Sequence, residues 1–128
     1  MRSADARNVA EEFNDAITSR DLTRLGELMT EDHTLITGTG DPVDGKEACI
    51  SAWRQFFELL PGYRNVFERV WSVGQVVQMR GRSVCTDERL NGPAIWKAVV
   101  EGARISEWHV DEDTPEGQRR LGHDAGED

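Results

Sequence analysis

Residues 93–111 have the sequence PAIWKAVVEGARISEWHVD, and this stretch decides the fold. β-Branched and aromatic residues are frequent on both sides of the dipeptide Glu101-Gly102. Two such segments joined by a short glycine-containing connection are typical of a β-hairpin. The stretch therefore predicts two antiparallel strands, Pro93–Val100 and Ala103–Asp111.

Two more segments of the same kind precede this hairpin. They are Asn65–Val73 and Gln75–Cys85, with Gly74 between them and Asn91-Gly92 after them. Four strands joined in this way predict an antiparallel meander. Gly81 falls inside the longest strand, where a glycine often marks a β-bulge, so we expect the sheet to bend there.

The first half of the chain has helical periodicity instead. Ser3 and Asp21 are candidate N-caps of two helices, and Asp44 with Glu47 resembles the capping box of a third, which Pro61-Gly62 ends. Apolar residues recur at helical spacing in all three. These residues are Ala6, Val9, Ala10, Phe13 and Ile17, then Leu22, Leu25, Leu28 and Met29, then Ile50, Trp53, Phe57 and Leu60.

Between the second and third helices, His33–Thr37 has the β-branched residues of a strand. The predicted fold is α+β: a cone-shaped, curved antiparallel sheet with three N-terminal helices packed on its concave face. We expect one domain over residues 1–113. Residues 114–128 are polar and acidic, and we expect a partly disordered tail there, with at most one helical turn from Thr114-Pro115.

Composition and charge exclude several classes of function. The 128 residues carry a net charge of −9, which repels nucleic-acid phosphates, and five of those charges fall in residues 111–128. No apolar run approaches the ~20 residues of a membrane span, and residues 1–5 lack a signal peptide's apolar stretch. We therefore expect a cytoplasmic protein with neither a nucleic-acid nor a membrane partner.

The sequence carries no recognisable cofactor or metal motif. Walker, GxGxxG, GxSxG and HExxH patterns are absent, so no cofactor is expected. Cys49 and Cys85 lie in apolar-patterned segments, which favours buried free thiols over a disulfide. Glu107, His109 and Asp111 share one face of the last strand, which favours a solvated or interfacial face over a metal site.

Three short segments resemble the nuclear transport factor 2-like superfamily, which includes ketosteroid isomerase, SnoaL-like polyketide cyclases and limonene epoxide hydrolase. They are RDLTRLGELMTEDHTL at residues 20–35, VDGKEACISAW at residues 43–53 and ARISEW at residues 103–108. They are similar to the family's entry to strand one, start of helix three and final strand. The resemblance covers residues 5–112 and implies the cone fold, but it does not imply one activity, because the fold hosts many.

The catalytic residues of known family members are mostly not matched. The resemblance puts the carboxylate base of ketosteroid isomerase at Thr37, its tyrosine at Phe13 and its aspartate at about Ile95, so all three roles are vacant. The aspartate of SnoaL-like cyclases falls at about Val110, unless a one-residue bulge brings His109 or Asp111 inward. Asp87, Arg89 and Asp111 match the Asp-Arg-Asp set of limonene epoxide hydrolase poorly.

The resemblance implies a pocket inside the cone, and we expect it to bind a small apolar molecule. Its predicted lining is Phe13, Met29, Leu35, Thr37, Trp53 and Trp108, although these residues also suit a filled core. The alternative is an isomerase, cyclase or dehydratase acting on a small hydrophobic substrate. His33, whose ordinary pKa is near neutrality, would then be the general acid/base at the wider end of the cavity, with Thr37 as hydrogen-bond donor. A surface or fully hydrogen-bonded histidine is the commoner situation for a residue like His33.

The strand Pro93–Val100 also suggests a homodimer. Ala94, Trp96, Ala98 and Val100 alternate on one face, and we expect this face to be the outer one. An apolar outer face needs a cover, and related proteins commonly pair through it. The prediction is that Trp96 and Ala98 lie in a dimer interface, with Lys97 on the opposite side.

Overall fold

A computed structural model describes residues 5–38, 40–88 and 91–122. The helices are α1 (Ala6–Ser19), α2 (Leu22–Glu27), α3 (Lys46–Leu59) and α4 (Pro115–Leu121). The strands are β1 (Met29–Thr37), β2 (Val43–Asp44), β3 (Arg64–Val73), β4 (Val76–Val84), β5 (Gly92–Glu101) and β6 (Arg104–Glu112). The order of the strands in the sheet is β2-β1-β6-β5-β4-β3.

Local signals set the ends of the first two helices. The Asp5 side chain accepts a hydrogen bond from the Arg7 amide at the start of α1, and Arg20 ends that helix in the left-handed conformation. Asp21 caps α2 by accepting from the Arg24 amide at 3.0 Å, which confirms its predicted role. Ser3, the predicted cap of α1, lies outside the described residues.

The predicted capping box of α3 is wrong. Gly45 is the N-cap, and no side chain bonds to the first turn. Asp44 instead belongs to β2, where it pairs with Thr34 of β1. The Asp44 carboxylate accepts a hydrogen bond from the Thr34 hydroxyl at 3.0 Å. Asp44, which the sequence pattern had assigned to the start of α3, is therefore a residue of β2.

The last four strands form the predicted antiparallel meander, but the sheet as a whole is mixed. β1 lies between β2 and β6 and runs parallel to β6, with Leu35 opposite Trp108 and Thr37 opposite Val110. A parallel neighbour requires a long crossover, and here the rest of the chain, including α3, supplies it. The first long strand therefore pairs with the last one.

The β-bulge expected at Gly81 is present. The register between β3 and β4 shifts between Phe67 and Arg69, directly opposite Gly81. A β-carbon at position 81 would lie 1.9 Å from the Val66 carbonyl oxygen. The two backbones therefore approach closely at the bulge, and only glycine fits there.

The core lies between the helices and the concave face of the sheet. Phe13 of α1 packs on Trp108 with ring centroids 4.6 Å apart and edge-on to Trp53 of α3 at 6.4 Å. All three rings are buried. Helices on the concave face are thus as predicted.

The assignment of Trp96 and Ala98 to a dimer interface is wrong. Both side chains are fully buried within the single chain, and the Trp96 ring lies 4.9 Å from that of Phe67. The alternation along β5 is real, but its apolar residues face the concave core, whereas Lys97 lies on the convex face beside His109. A homodimer through the convex face remains a prediction.

The segment predicted to be a polar tail continues the fold past residue 113. Thr114 caps α4, and Leu121 near its end is buried. The Arg120 guanidinium donates a hydrogen bond to the Asp111 carboxylate. Asp111 lies opposite Ile95 in the β5–β6 pair, and the Ile95 side chain is fully buried on the convex side of the sheet. α4 therefore covers one end of that side, while residues 123–128 lie outside the described part. Within the described ranges, none of the helices combines the length and apolarity that a bilayer crossing needs.

Candidate functional site

A cavity of about 950 Å³ opens at one end of the cone. It is bounded by the ends of β1, β5 and β6 and by the inner side of α3. Most of its wall is apolar, as is usual for small-molecule sites. The apolar lining consists of Leu35, Val43, Ala52, Trp53, Phe56, Pro93, Ala94 and Val110.

Three aromatic rings form a continuous wall of the cavity. Trp53 and Phe56, three residues apart on α3, meet edge to face at 5.6 Å. Phe56 meets Tyr63 in the same way at 4.6 Å, because Pro61 and Gly62 end the helix and bring the chain back toward the sheet. Such edge-to-face contacts hold rings in defined orientations.

Tyr63 and Ser83 add two neutral hydroxyl groups to the lining. The Tyr63 hydroxyl lies 3.1 Å from the Ser83 hydroxyl, where β4 faces the cavity. Burial raises the pKa of Tyr63 above its ordinary value, so its hydroxyl is protonated at neutral pH. The Trp53 indole nitrogen is buried and has no acceptor among the described residues.

An ion pair at the rim of the cavity attaches α4 to β6. Arg120 Nε and Nη2 donate to the two carboxylate oxygens of Asp111 at 2.7 and 2.9 Å. This bonding lowers the pKa of Asp111 below its ordinary value. Glu112 and Asp113 also line the rim. The rim is therefore net negative, and the guanidinium in its lining is already bonded to a carboxylate.

The structure divides the predicted pocket residues into two groups. Leu35, Thr37 and Trp53 line the cavity, with Thr37 exposed at its rim. The other three, Phe13, Met29 and Trp108, are fully buried and belong to the core rather than to the lining. The sequence pattern could not separate the two groups because both lie on inward faces of their elements.

His33 lies in the core and not at the wider end of the cavity. Its side chain is fully buried, is absent from the cavity lining and lies 5.7 Å from the Phe13 ring. Nδ1 carries the proton, because it donates to the Ile105 carbonyl at 2.7 Å. Burial lowers the pKa of His33 below its ordinary value, so the imidazole is neutral. This geometry gives His33 no contact with a cavity ligand.

The last strand has the register expected without a bulge at residues 109–111. Val110 faces the cavity, whereas His109 is on the convex face, where its Nε2 lies 2.8 Å from Glu107 Oε1. The irregularity of this hairpin lies earlier, between Val99 and Val100. The cyclase aspartate position is thus occupied by a valine on the cavity wall.

Two residues of the polar wall, Tyr63 and Ser83, were not predicted. Tyr63 is the single tyrosine of the chain and directly follows the helix-ending Pro61-Gly62, which is the signal that sequence reasoning passed over. Asp87 lies beyond the end of β4 and outside the cavity lining, and Arg89 lies outside the described residues. The Asp-Arg-Asp arrangement is therefore not assembled in the described part of the cavity.

A curved α+β cone with an apolar cavity at its open end is the architecture of the nuclear transport factor 2-like class. Solved structures with this fold include a protein of unknown function from Cytophaga hutchinsonii, at TM-score 0.71 and 18% identity, covering 95% of this chain and 99% of that one. An LEH-like epoxide hydrolase from M. tuberculosis has TM-score 0.75 and 16% identity, with coverages of 93% and 90%. IdmH from Streptomyces antibioticus, a proposed polyketide cyclase, has TM-score 0.73 and 19% identity, with coverages of 93% and 99%.

The family model of the SnoaL-like domain matches residues 10–119. The chain belongs to the SnoaL-like domain family. No curated protein matches the chain. Because the solved relatives are distant in sequence, they establish the fold alone.

Proposed function

We propose that the protein binds a small, largely apolar molecule in the cavity of the cone. The observation that carries this proposal is the aromatic wall of Trp53, Phe56 and Tyr63 around a cavity of about 950 Å³. Cavities of this size, apolar with a few polar groups, are the usual sites for small molecules. Two of the three solved relatives bear names of small-molecule activities on the same fold, one a proposed polyketide cyclase and the other an epoxide hydrolase.

Binding is better supported than the isomerase, cyclase or dehydratase alternative. Proton transfer needs an acid or base within hydrogen-bond reach of the substrate. His33 does not line the cavity, and the Asp111 carboxylate at the rim is bonded to Arg120. The Asp113 carboxylate lies 3.5 Å from Arg80 Nε, and Glu112 is exposed at the rim. Thr37 remains in the lining as a hydrogen-bond donor, a role that serves binding equally well.

Filling the cavity tests the proposal. Ala52 lies in the lining on α3, whereas its neighbour Ser51 is exposed. Ala52→Trp places an indole in the cavity, and Ser51→Trp adds the same side chain one residue away, in solvent. The probe is 2-ethylnaphthalene, an uncharged two-ring hydrocarbon, measured by equilibrium dialysis.

We expect the wild type and Ser51→Trp to bind the probe with equal affinity. We expect Ala52→Trp to bind it at least about tenfold more weakly, because the added indole occupies the space of the ligand. Circular dichroism melting shows whether both variants fold. Equal binding by folded Ala52→Trp and wild type, or no binding by any of the three proteins, would contradict the proposal.

A further inference from the structure

The hydroxyls of Tyr63 and Ser83 have two protons between them, but only one of these protons is hydrogen-bonded among the described residues. Each hydroxyl has one proton, and the two groups share a single hydrogen bond of 3.1 Å. Whichever oxygen donates in that bond, the other O–H is left without an acceptor among the described residues. The pair therefore offers a free donor on the cavity wall.

The Trp53 indole does not add a second donor, although its ring lines the cavity. Its N–H has no acceptor among the described residues, but the nitrogen is fully buried, so a ligand in the cavity does not reach it. The free hydroxyl proton of the Tyr63–Ser83 pair is costly once a ligand has displaced water from the cavity, and an acceptor on the ligand removes that cost. The edge-to-face contact with Phe56 fixes the Tyr63 ring, which carries one of the two hydroxyls.

Charge in the lining disfavours an anionic ligand. The described lining holds the carboxylates of Asp111, Glu112 and Asp113, against the single guanidinium of Arg120. Both Asp111 oxygens are bonded to that guanidinium. A carboxylate ligand would enter a net-negative mouth and meet no uncommitted cation in the described lining.

We infer that the Tyr63–Ser83 hydroxyl pair selects a ligand with a neutral hydrogen-bond acceptor, such as the carbonyl of a ketone. Hydrocarbons and carboxylates of the same shape bind more weakly. This inference rests on the proposed function and names the ligand class of the same cavity.

Three probes of matched shape test the selection. They are 2-acetonaphthone, 2-ethylnaphthalene and 2-naphthoate, measured by equilibrium dialysis against the wild type. We expect the ketone to bind about fivefold or more tightly than the hydrocarbon, the ratio that corresponds to one hydrogen bond of about 1 kcal/mol. We expect the naphthoate to bind most weakly of the three.

Variants assign the preference to the hydroxyl pair. Tyr63→Phe/Ser83→Ala removes both hydroxyls and keeps the ring that packs on Phe56. We expect its ketone-to-hydrocarbon ratio to fall toward one while its affinity for the hydrocarbon is retained. The control Ser51→Ala removes an exposed hydroxyl of α3 and leaves the ratio unchanged.

The outcomes separate the two proposals. Equal affinity for ketone and hydrocarbon, or tightest binding of naphthoate, would overturn donor selection while leaving apolar binding in place. An unchanged ratio in the folded double variant would also overturn it. Failure of all three probes to bind would overturn the proposed function and this inference together. The wild-type ranking decides the question even if the double variant does not fold.

Discussion

Replacing Trp96 by alanine tests the placement of β5 in the core. The indole is fully buried in the single chain and packs against Phe67 at 4.9 Å. A buried aromatic side chain removes about 150–250 Å² from water, worth about 4–6 kcal/mol at about 25 cal/mol per Å². Alanine keeps part of that burial, and buried aromatic truncations cost about 3–5 kcal/mol. We therefore expect Trp96→Ala to lower the free energy of unfolding by about 4 kcal/mol.

Urea denaturation at two protein concentrations measures this effect. With a slope of about 2 kcal/mol per molar urea, the midpoint falls by about 2 M. The matched control is Trp71→Ala on β3, where the ring is partly exposed and carries the Arg69 guanidinium 5.0 Å above it. We expect that control to cost about 1 kcal/mol.

The same experiment distinguishes a core residue from an interface residue. If Trp96 lies in the core, the variant and the wild type show the same dependence of the midpoint on protein concentration. A loss below about 1.5 kcal/mol, together with a weakened concentration dependence, would refute the core placement and restore the interface assignment.

Three further predictions concern other buried contacts. Gly81→Ala brings a β-carbon within 1.9 Å of the Val66 carbonyl oxygen, and we expect it to lower the free energy of unfolding, measured by urea denaturation, by at least about 3 kcal/mol. The control Gly26→Ala meets only the end of the Ile50 side chain, and we expect it to change that free energy by no more than about 1 kcal/mol. Equal losses in the two variants would contradict the bulge geometry. Because burial lowers the pKa of His33, the unfolded chain binds a proton near pH 6.5 that the folded chain does not bind. The free energy of unfolding therefore has its full value above that pH and decreases below it, by at most about 1.4 kcal/mol per pH unit. His33→Leu should reduce the slope of unfolding free energy between pH 7 and 5, and an unchanged slope would show that the imidazole is protonated in the fold. Arg120→Met removes the partner of Asp111, and we expect several-fold faster hydrogen exchange at the Gln118 and Gly122 amides of α4 with β4 unaffected; unchanged exchange would mean that the ion pair does not hold the helix.

Much of the fold could be predicted because its signals are local. Asp21 caps α2 through its own neighbours, and the glycine-containing turns of the meander are visible within a few residues. The face of β5 could not be predicted in the same way. Alternation separates Trp96 from Lys97 but does not say which of them meets the helices, because that depends on where α1 and α4 come to lie.

The candidate site was predictable only in part for a related reason. Leu35 and Trp53 lie on inward faces and do line the cavity. Phe13, which was also predicted to line it, has the same pattern but fills the core. His33 was assigned a catalytic role because its ordinary pKa is near neutrality and it shares a strand face with Leu35 and Thr37. In the structure, its N–H donates to one backbone carbonyl in the core. Tyr63 lies after a turn and belongs to no periodic pattern, so nothing in its spacing indicated that it faces Ser83.

The parallel pairing of β1 with β6 has a consequence for how the chain folds. The hydrogen bond from His33 to Ile105 joins residues 72 positions apart. The other neighbour of β1 in the sheet is β2, which has only two residues. Closing so large a loop costs entropy before any contact repays it, and pairings of this kind slow folding. During synthesis, β1 and the apolar faces of α1 and α3 emerge well before the strand that completes their sheet. The hydrophobic surface of the first half of the protein therefore stays exposed to solvent until the hairpin of β5 and β6 has been synthesised.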